Sequence, residues 1–136
     1  MNEQLIEQYK PTEVKVFSVP QTQMLLARFS SDGKLLLAAG CDSQIHRWSL
    51  DGAEHPALAP VAGHGGWVTG LVCHPGEAIA YSADSWGKLQ AWNGAAETPQ
   101  PLWQVEAAHD GWIQCLAISA DGQQLATCSN NGQIRV

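Results

Sequence analysis

The sequence has 136 residues and a formal net charge of −6, from seven Lys and Arg against thirteen Asp and Glu. That length holds one core of ordinary size, and so few scattered cations draw no basic patch for nucleic acid or an anionic membrane. No apolar run approaches the roughly 20 residues that span a bilayer, and the start MNEQLIEQYK lacks the basic and apolar regions of a secretory leader, so a cytoplasmic setting is expected.

Residues 1–12 read as a polar tail, with Leu5, Ile6 and Tyr9 on one face of a helical turn too short to be stable alone. Glu13 to Val19 alternates and is β-branched, which predicts a strand ended by Pro20. Met24–Phe29 predicts the next strand, and Ser30-Ser31-Asp32-Gly33 a tight turn. Strands at Lys34–Ala39 and Ile45–Trp48 follow, and Pro56–Val61 reads as an edge strand that tolerates proline. The pattern then restarts at Gly63-His64. It predicts strands at Val68–Cys73, Ala78–Ser82, Leu89–Trp92 and Leu102–Glu106. A third copy places strands at Ile113–Ile118 and Leu125–Ser129 and opens another at Gln133–Val136.

The copies keep a fixed spacing. His109 follows His64 by 45 residues, Trp112 follows Trp67 by 45, and Trp92 follows Trp48 by 44. A period of about 40–45 residues made of short strands and turns is the mark of a four-stranded propeller blade. The phrases FSSDGKLLLAAGCDSQIHRW, GHGGWVTGLVCHP with LQAW, and AHDGWIQCLAISADGQQLATCSNNGQIRV resemble WD-repeat (WD40-type) β-propellers from about Met24 to Val136. The expected fold is therefore all-β, a partial ring of about three blades over 13–136, with repeats near 21–62, 63–107 and a shortened 108–136. The resemblance also implies that strand 13–19 completes the last blade of a closed ring.

In that family the His of Gly-His, a hydroxyl on the second strand, an Asp in the next turn and the Trp of the third strand form a hydrogen-bonded structural network. His64 and Trp92 match the pattern, Ser82 stands as its hydroxyl, and His109 opens the third copy. Asp42 lies six residues before Trp48, where the family places its Asp. Six before Trp92 stands Trp86, and Asp84 lies eight before, so this turn is rearranged. The third copy has Asn131 at the Asp position, and the first has Val19-Pro20 in place of Gly-His. Buried His and Trp donors need such partners, and a catalytic His-Asp-Ser set has no need of a half-copy 45 residues away, so the set reads as scaffold.

Trp67 and Trp112 occupy equivalent places after Gly-Gly and Asp-Gly, and Trp86 sits in the turn SADSWGK. The resemblance puts all three on loops of one propeller face. They read as partner-binding candidates, since tryptophan is enriched at interface hot spots, with packing against a neighbouring blade as the alternative. Leu26, Leu36, Leu71, Ile79, Leu116 and Leu125 are expected in one continuous core between blades. Cys41, Cys73, Cys115 and Cys128 show no CxxC and read as small buried hydrophobes. His46, His55, His64, His74 and His109 show no ligand spacing, so neither a metal nor a cofactor is expected.

The function expected is a protein-interaction scaffold with no chemistry of its own. The alternative is a small-ligand or cofactor-binding propeller that forms part of a larger enzyme. Expected partners are a protein together with further blades of the same protein or other copies of the chain, and neither nucleic acid nor membrane. Closure of a propeller takes four to eight blades, which is why further blades or copies are expected.

Overall fold

A computed structural model describes residues 7–136, and these form three antiparallel sheets with almost no helix. The first sheet holds β1 (Met24–Phe29), β2 (Leu35–Gly40), β3 (Ile45–Ser49) and β4 (Ala57–Val61) in that order. The second holds β5 (Val68–Cys73), β6 (Ile79–Asp84), β7 (Leu89–Asn93) and β8 (Pro101–Val105). The third holds β9 (Ile113–Ile118), β10 (Leu125–Ser129) and β11 (Ile134–Arg135). β1, β5 and β9 pack side by side, so the sheets radiate from their first strands. Among the described residues no helix is long and apolar enough to cross a membrane.

Local chemistry sets the strand ends. In the turn after β1, the Ser30 hydroxyl donates to Asp32 Oδ1 at 2.6 Å, and the same carboxylate accepts the Lys34 N–H at 3.0 Å. The turn after β9 repeats it: Ser119 donates to Asp121 Oδ1 at 2.5 Å, which accepts the Gln123 N–H at 3.0 Å. Each turn satisfies the backbone that leaves the ladder, and this fixes the register of the next strand. Every first strand carries a bulge at the same place, at Leu25, Thr69 and Gln114. At the middle one the Thr69 hydroxyl donates to the Ile113 carbonyl of the neighbouring sheet.

The core is split in two, not continuous as expected. Leu37, Ala39, Ile45, Val61, Val68, Leu71, Ala80 and Trp92 pack between the first and second sheets, with Leu26 against them. Val72, Ala83, Leu89, Ile113 and Leu116 pack between the second and third, with Leu125 alongside. Strands alternate, so one sheet sends side chains into both layers: Leu71 faces one cluster and Val72 the other. Leu36 joins neither. It turns to the outer side of the first sheet, where it lines a groove with Phe17, Leu25 and Trp48.

The predicted strand Glu13–Val19 is not a strand. A strand exists only in a ladder, and no strand of the described residues pairs with this segment. It runs along the first sheet, with the Phe17 ring 5.2 Å from that of Trp48 and Lys15 Nζ donating to the Glu54 carbonyl at 2.6 Å. The last strand is shorter than the predicted Gln133–Val136, covering Ile134–Arg135. Glu7 and Gln8 are helical and Tyr9 is exposed, while Leu5 and Ile6 lie outside the described residues. The expected burial of the four thiols is not met: Cys115 is exposed, and Cys41, Cys73 and Cys128 are only half-buried.

Candidate functional site

One polar chain runs through the second sheet. The Trp92 indole N–H donates to Ser82 Oγ at 3.1 Å, and Ser82 Oγ lies 2.8 Å from His64 Nε2. His64 Nδ1 lies 2.9 Å from Asp84 Oδ2. With the Ser82 hydroxyl donating onward to Nε2, the His64 Nδ1–H points at the carboxylate. Asp84 also accepts the N–H of Gly65, Trp86 and Lys88 at 3.2, 2.9 and 3.1 Å. Burial opposes ionisation of Asp84, but the His64 hydrogen bond and the backbone N–H groups of Lys88 and Trp86 outweigh it and hold the carboxyl down at about 2.

The order Asp84–His64–Ser82 has the connectivity of a hydrolytic triad. Its oxygen is not a nucleophile, because Ser82 is fully buried and its Oγ is already held by the Trp92 indole. The set ties the loop before β5 to the turn after β6.

The other two sheets carry fragments of this chain. His109 Nε2 lies 2.7 Å from Thr127 Oγ1, the counterpart of the His64–Ser82 bond. Pairing of Val68 with Asp84 and of Ile113 with Ser129 places Ser129 at the Asp84 position, not Asn131 as the turn alignment suggests. His109 Nδ1 is consequently buried with no partner among the described residues. Asn131 instead caps its own turn through the Gln133 N–H at 3.0 Å. In the first sheet Asp42 does not join Trp48. It accepts the Gln44 N–H at 3.3 Å and meets His46 Nε2 at 2.7 Å.

These bonds explain the rearranged turn. Position 86 corresponds to Asp42 and Asn131, whose side chains are used up in capping. In the second sheet Asp84 caps the equivalent N–H, that of Lys88, from two residues earlier, which releases residue 86 from that duty. Its indole covers Gly65 and Gly66, where an added Cβ would stand 2.7 Å and 2.9 Å from ring carbons. Only glycine backbone lies flat enough to seat it.

The three candidate tryptophans gather on this rim. Trp86 is 71% exposed, Trp67 46% and Trp112 42%. Trp67 follows the Gly65–Gly66 seat directly and meets Trp112 edge-on, with ring centroids 5.7 Å apart. Ser85, which the sequence did not single out, braces the arrangement: its Oγ accepts the Trp67 N–H at 3.0 Å, and its N–H donates to the Trp67 carbonyl at 2.9 Å. Gly87 (φ +89°) crosses to the third sheet, its carbonyl accepting the Ala108 N–H at 2.9 Å. A Cβ there would stand 2.2 Å from the His109 carbonyl oxygen, so the crossing needs glycine.

Among the described residues no three of His, Cys, Asp or Glu converge on a common point, and the Asp42–His46 pair stands by itself. A cleft of about 140 Å³ lies between the first and second sheets beside Asp32, Cys73 and Glu77. Burial pushes the Cys73 thiol up to about 11, so it stays protonated and inert at neutral pH.

A family model described as WD domain, G-beta repeat, matches residues 14–49 and 100–136. The stretch between them holds β4, β5 to β7 and the Trp86 turn. The U3 snoRNP-associated protein-like EMB2271 of Arabidopsis thaliana is 30% identical over 102 residues, covering 75% of this chain and 20% of the relative. The nuclear distribution protein PAC1-1 of Uncinocarpus reesii (strain UAMH 1704) is 24% identical over 100 residues, covering 74% and 22%. The chain thus spans about a fifth of the length of these curated relatives.

Proposed function

This chain belongs to the WD-repeat family, and on that premise we propose that it is a protein-interaction platform that meets its partner through the rim of Trp67, Trp86 and Trp112. The observation that carries this reading is the exposure of three neighbouring indoles on one rigid edge. Exposed tryptophan is costly in water and rewarding in an interface core. Affinity capture from the native cell, compared between the wild-type chain, Trp86→Ala and the off-rim control Trp103→Ala, tests it. Proteins lost with Trp86→Ala and kept with Trp103→Ala are expected. Identical capture by all three would remove the rim from the reading.

The platform has no chemistry of its own in this reading. Its triad-like set is buried, with the serine oxygen already held by the Trp92 indole, which supports this. A cytoplasmic setting goes with it, supported by four free cysteines; cell fractionation tests that point.

The proposal includes further blades, from the same protein or from other copies. The apolar groove of Phe17, Met24, Leu25, Leu36 and Trp48 on the outer side of the first sheet supports this. So does the register of the family match, in which the segment from Val14 holds the place that β8 holds in the second match. Residues 13–19 would then pair as the outer strand of another blade. Sedimentation equilibrium of the 136-residue chain checks the idea, and a cooperatively folding monomer at high concentration would refute it.

A further inference from the structure

We propose that this rim takes an arginine side chain, carried on an extended basic segment of the partner, over its exposed indoles with Asp110 as the counter-charge. The inference rests on the platform reading and names the chemistry of its partner.

Exposed negative charge reaches the rim at Glu106 and Asp110, with Arg135 an exposed cation whose charge is felt at His109. Lys88 is 12% exposed, and its Nζ is 3.1 Å from Glu106 Oε1, whereas the Glu106 side chain is 70% exposed. Asp110, two residues before Trp112, is exposed and enters no ion pair among the described residues. Arg135, on β11, turns its guanidinium to Gln133 Oε1 at 3.2 Å. The chain as a whole carries −6. A basic segment is drawn to such a surface, and an acidic one is repelled.

The aromatic part selects arginine among cations. Trp67 and Trp112 stand edge to face, so their outer π surfaces meet at a corner, and Trp86 adds a third indole over the glycine seat. A cation over an indole face is attracted by the ring quadrupole. A planar, weakly hydrated guanidinium stacks there with less loss of hydration than an ammonium, and its remaining N–H fork is free for a carboxylate such as Asp110. Trp86 is available for this because Asp84 has taken over the capping of its turn.

The six tryptophan indole N–H signals of the ¹⁵N-labelled chain give the test, each assigned by a single Trp→Phe substitution. The probes are the peptide acetyl-Gly-Arg-Gly-Arg-Gly-amide, the same peptide with citrulline for arginine, and the same with lysine, each at millimolar concentration. The expected result is a saturable shift of the Trp67, Trp86 and Trp112 signals with the arginine peptide. Citrulline keeps the shape and loses the charge, so its affinity should fall by about fivefold or more. Lysine should fall between the two. Asp110→Asn should weaken the arginine peptide about two- to threefold, and unshifted Trp48 and Trp92 signals show that this variant folds. Equal response to arginine and citrulline overturns the inference, as does no response, or a response centred on Trp103. If a captured partner is lost with Trp86→Ala while the indoles do not distinguish the peptides, the platform stands and this inference falls.

Discussion

Arg47 on β3 donates through Nη1 to the Gly94 carbonyl at 2.7 Å, reaching from the first sheet into the loop after β7. The same guanidinium donates to the carbonyls of Ala59 and Ala96 at 2.7 and 2.9 Å, and to Glu97 at 3.4 Å. Arg47 is buried and meets no carboxylate among the described residues, where carbonyl dipoles face its charge. Such a fork adds a polar tie between two sheets that also share the core around Leu37 and Leu71.

Arg47→Met keeps much of the volume and removes every one of these donors. The carbonyls of Ala59, Gly94 and Ala96 would be left short of partners, and a loss of about 2–4 kcal/mol is expected in denaturant unfolding. Arg47→Lys should recover only part of it, because an ammonium cannot reach the same fork of acceptors. Equal stability of wild type and Arg47→Met would show that the clamp carries no net weight.

Asp84 makes stability depend on pH at the acid end. Its carboxyl is held at about 2 in the folded chain against 3.8 ordinarily. A depressed carboxyl contributes fully above its unfolded value, and the contribution is lost as pH falls through the folded value. Wild type should therefore lose about 2 kcal/mol between pH 4 and pH 2 that Asp84→Asn does not lose. The variant should also be weaker at pH 7, having exchanged a carboxylate for an amide opposite His64. Parallel pH profiles for the two proteins would contradict this.

Ser129 offers a gain. It stands where Asp84 stands, and His109 Nδ1 beside it is buried without a partner among the described residues. Burial pushes the His109 imidazole down, Arg135 adds to that, and Asp110 opposes it. Ser129→Asp supplies the missing acceptor, and a stabilisation of about 1 kcal/mol at pH 7 is expected in thermal or urea unfolding. The His109 titration, followed by NMR, should move upward. A destabilised variant with an unmoved His109 would mean that the carboxylate does not reach the ring.

The split core has its own test. Leu71 is 1% exposed in the layer between the first and second sheets, and Leu71→Ala should cost about 2–5 kcal/mol. Leu36 belongs to neither cluster, so Leu36→Ala should cost clearly less in the isolated chain. Similar losses at both positions would argue that the outer groove is as closed as the core.

Strands and turns were legible in the sequence because their causes are local. Alternation with a period of two, the Ser-x-Asp-Gly turns and the 45-residue repeat determine β1, β5, β9 and β10 to the residue. They also set the loop positions of Trp67, Trp86 and Trp112. What lies between sheets was decided by tertiary structure, because it depends on which surfaces stand opposite one another. Glu13–Val19 has a strand's pattern but no ladder to join. Leu36 and Leu37 share one run, yet only Leu37 meets a second sheet. Asp84 looked displaced when turns were counted back from Trp92. Register against Val68 shows that it occupies the capping place, and Trp86 is exposed as a consequence. The carbonyls that hold Arg47 lie 12 to 50 residues along the chain. No local pattern carries that pairing, since a buried charge finds its partners only once the sheets have come together.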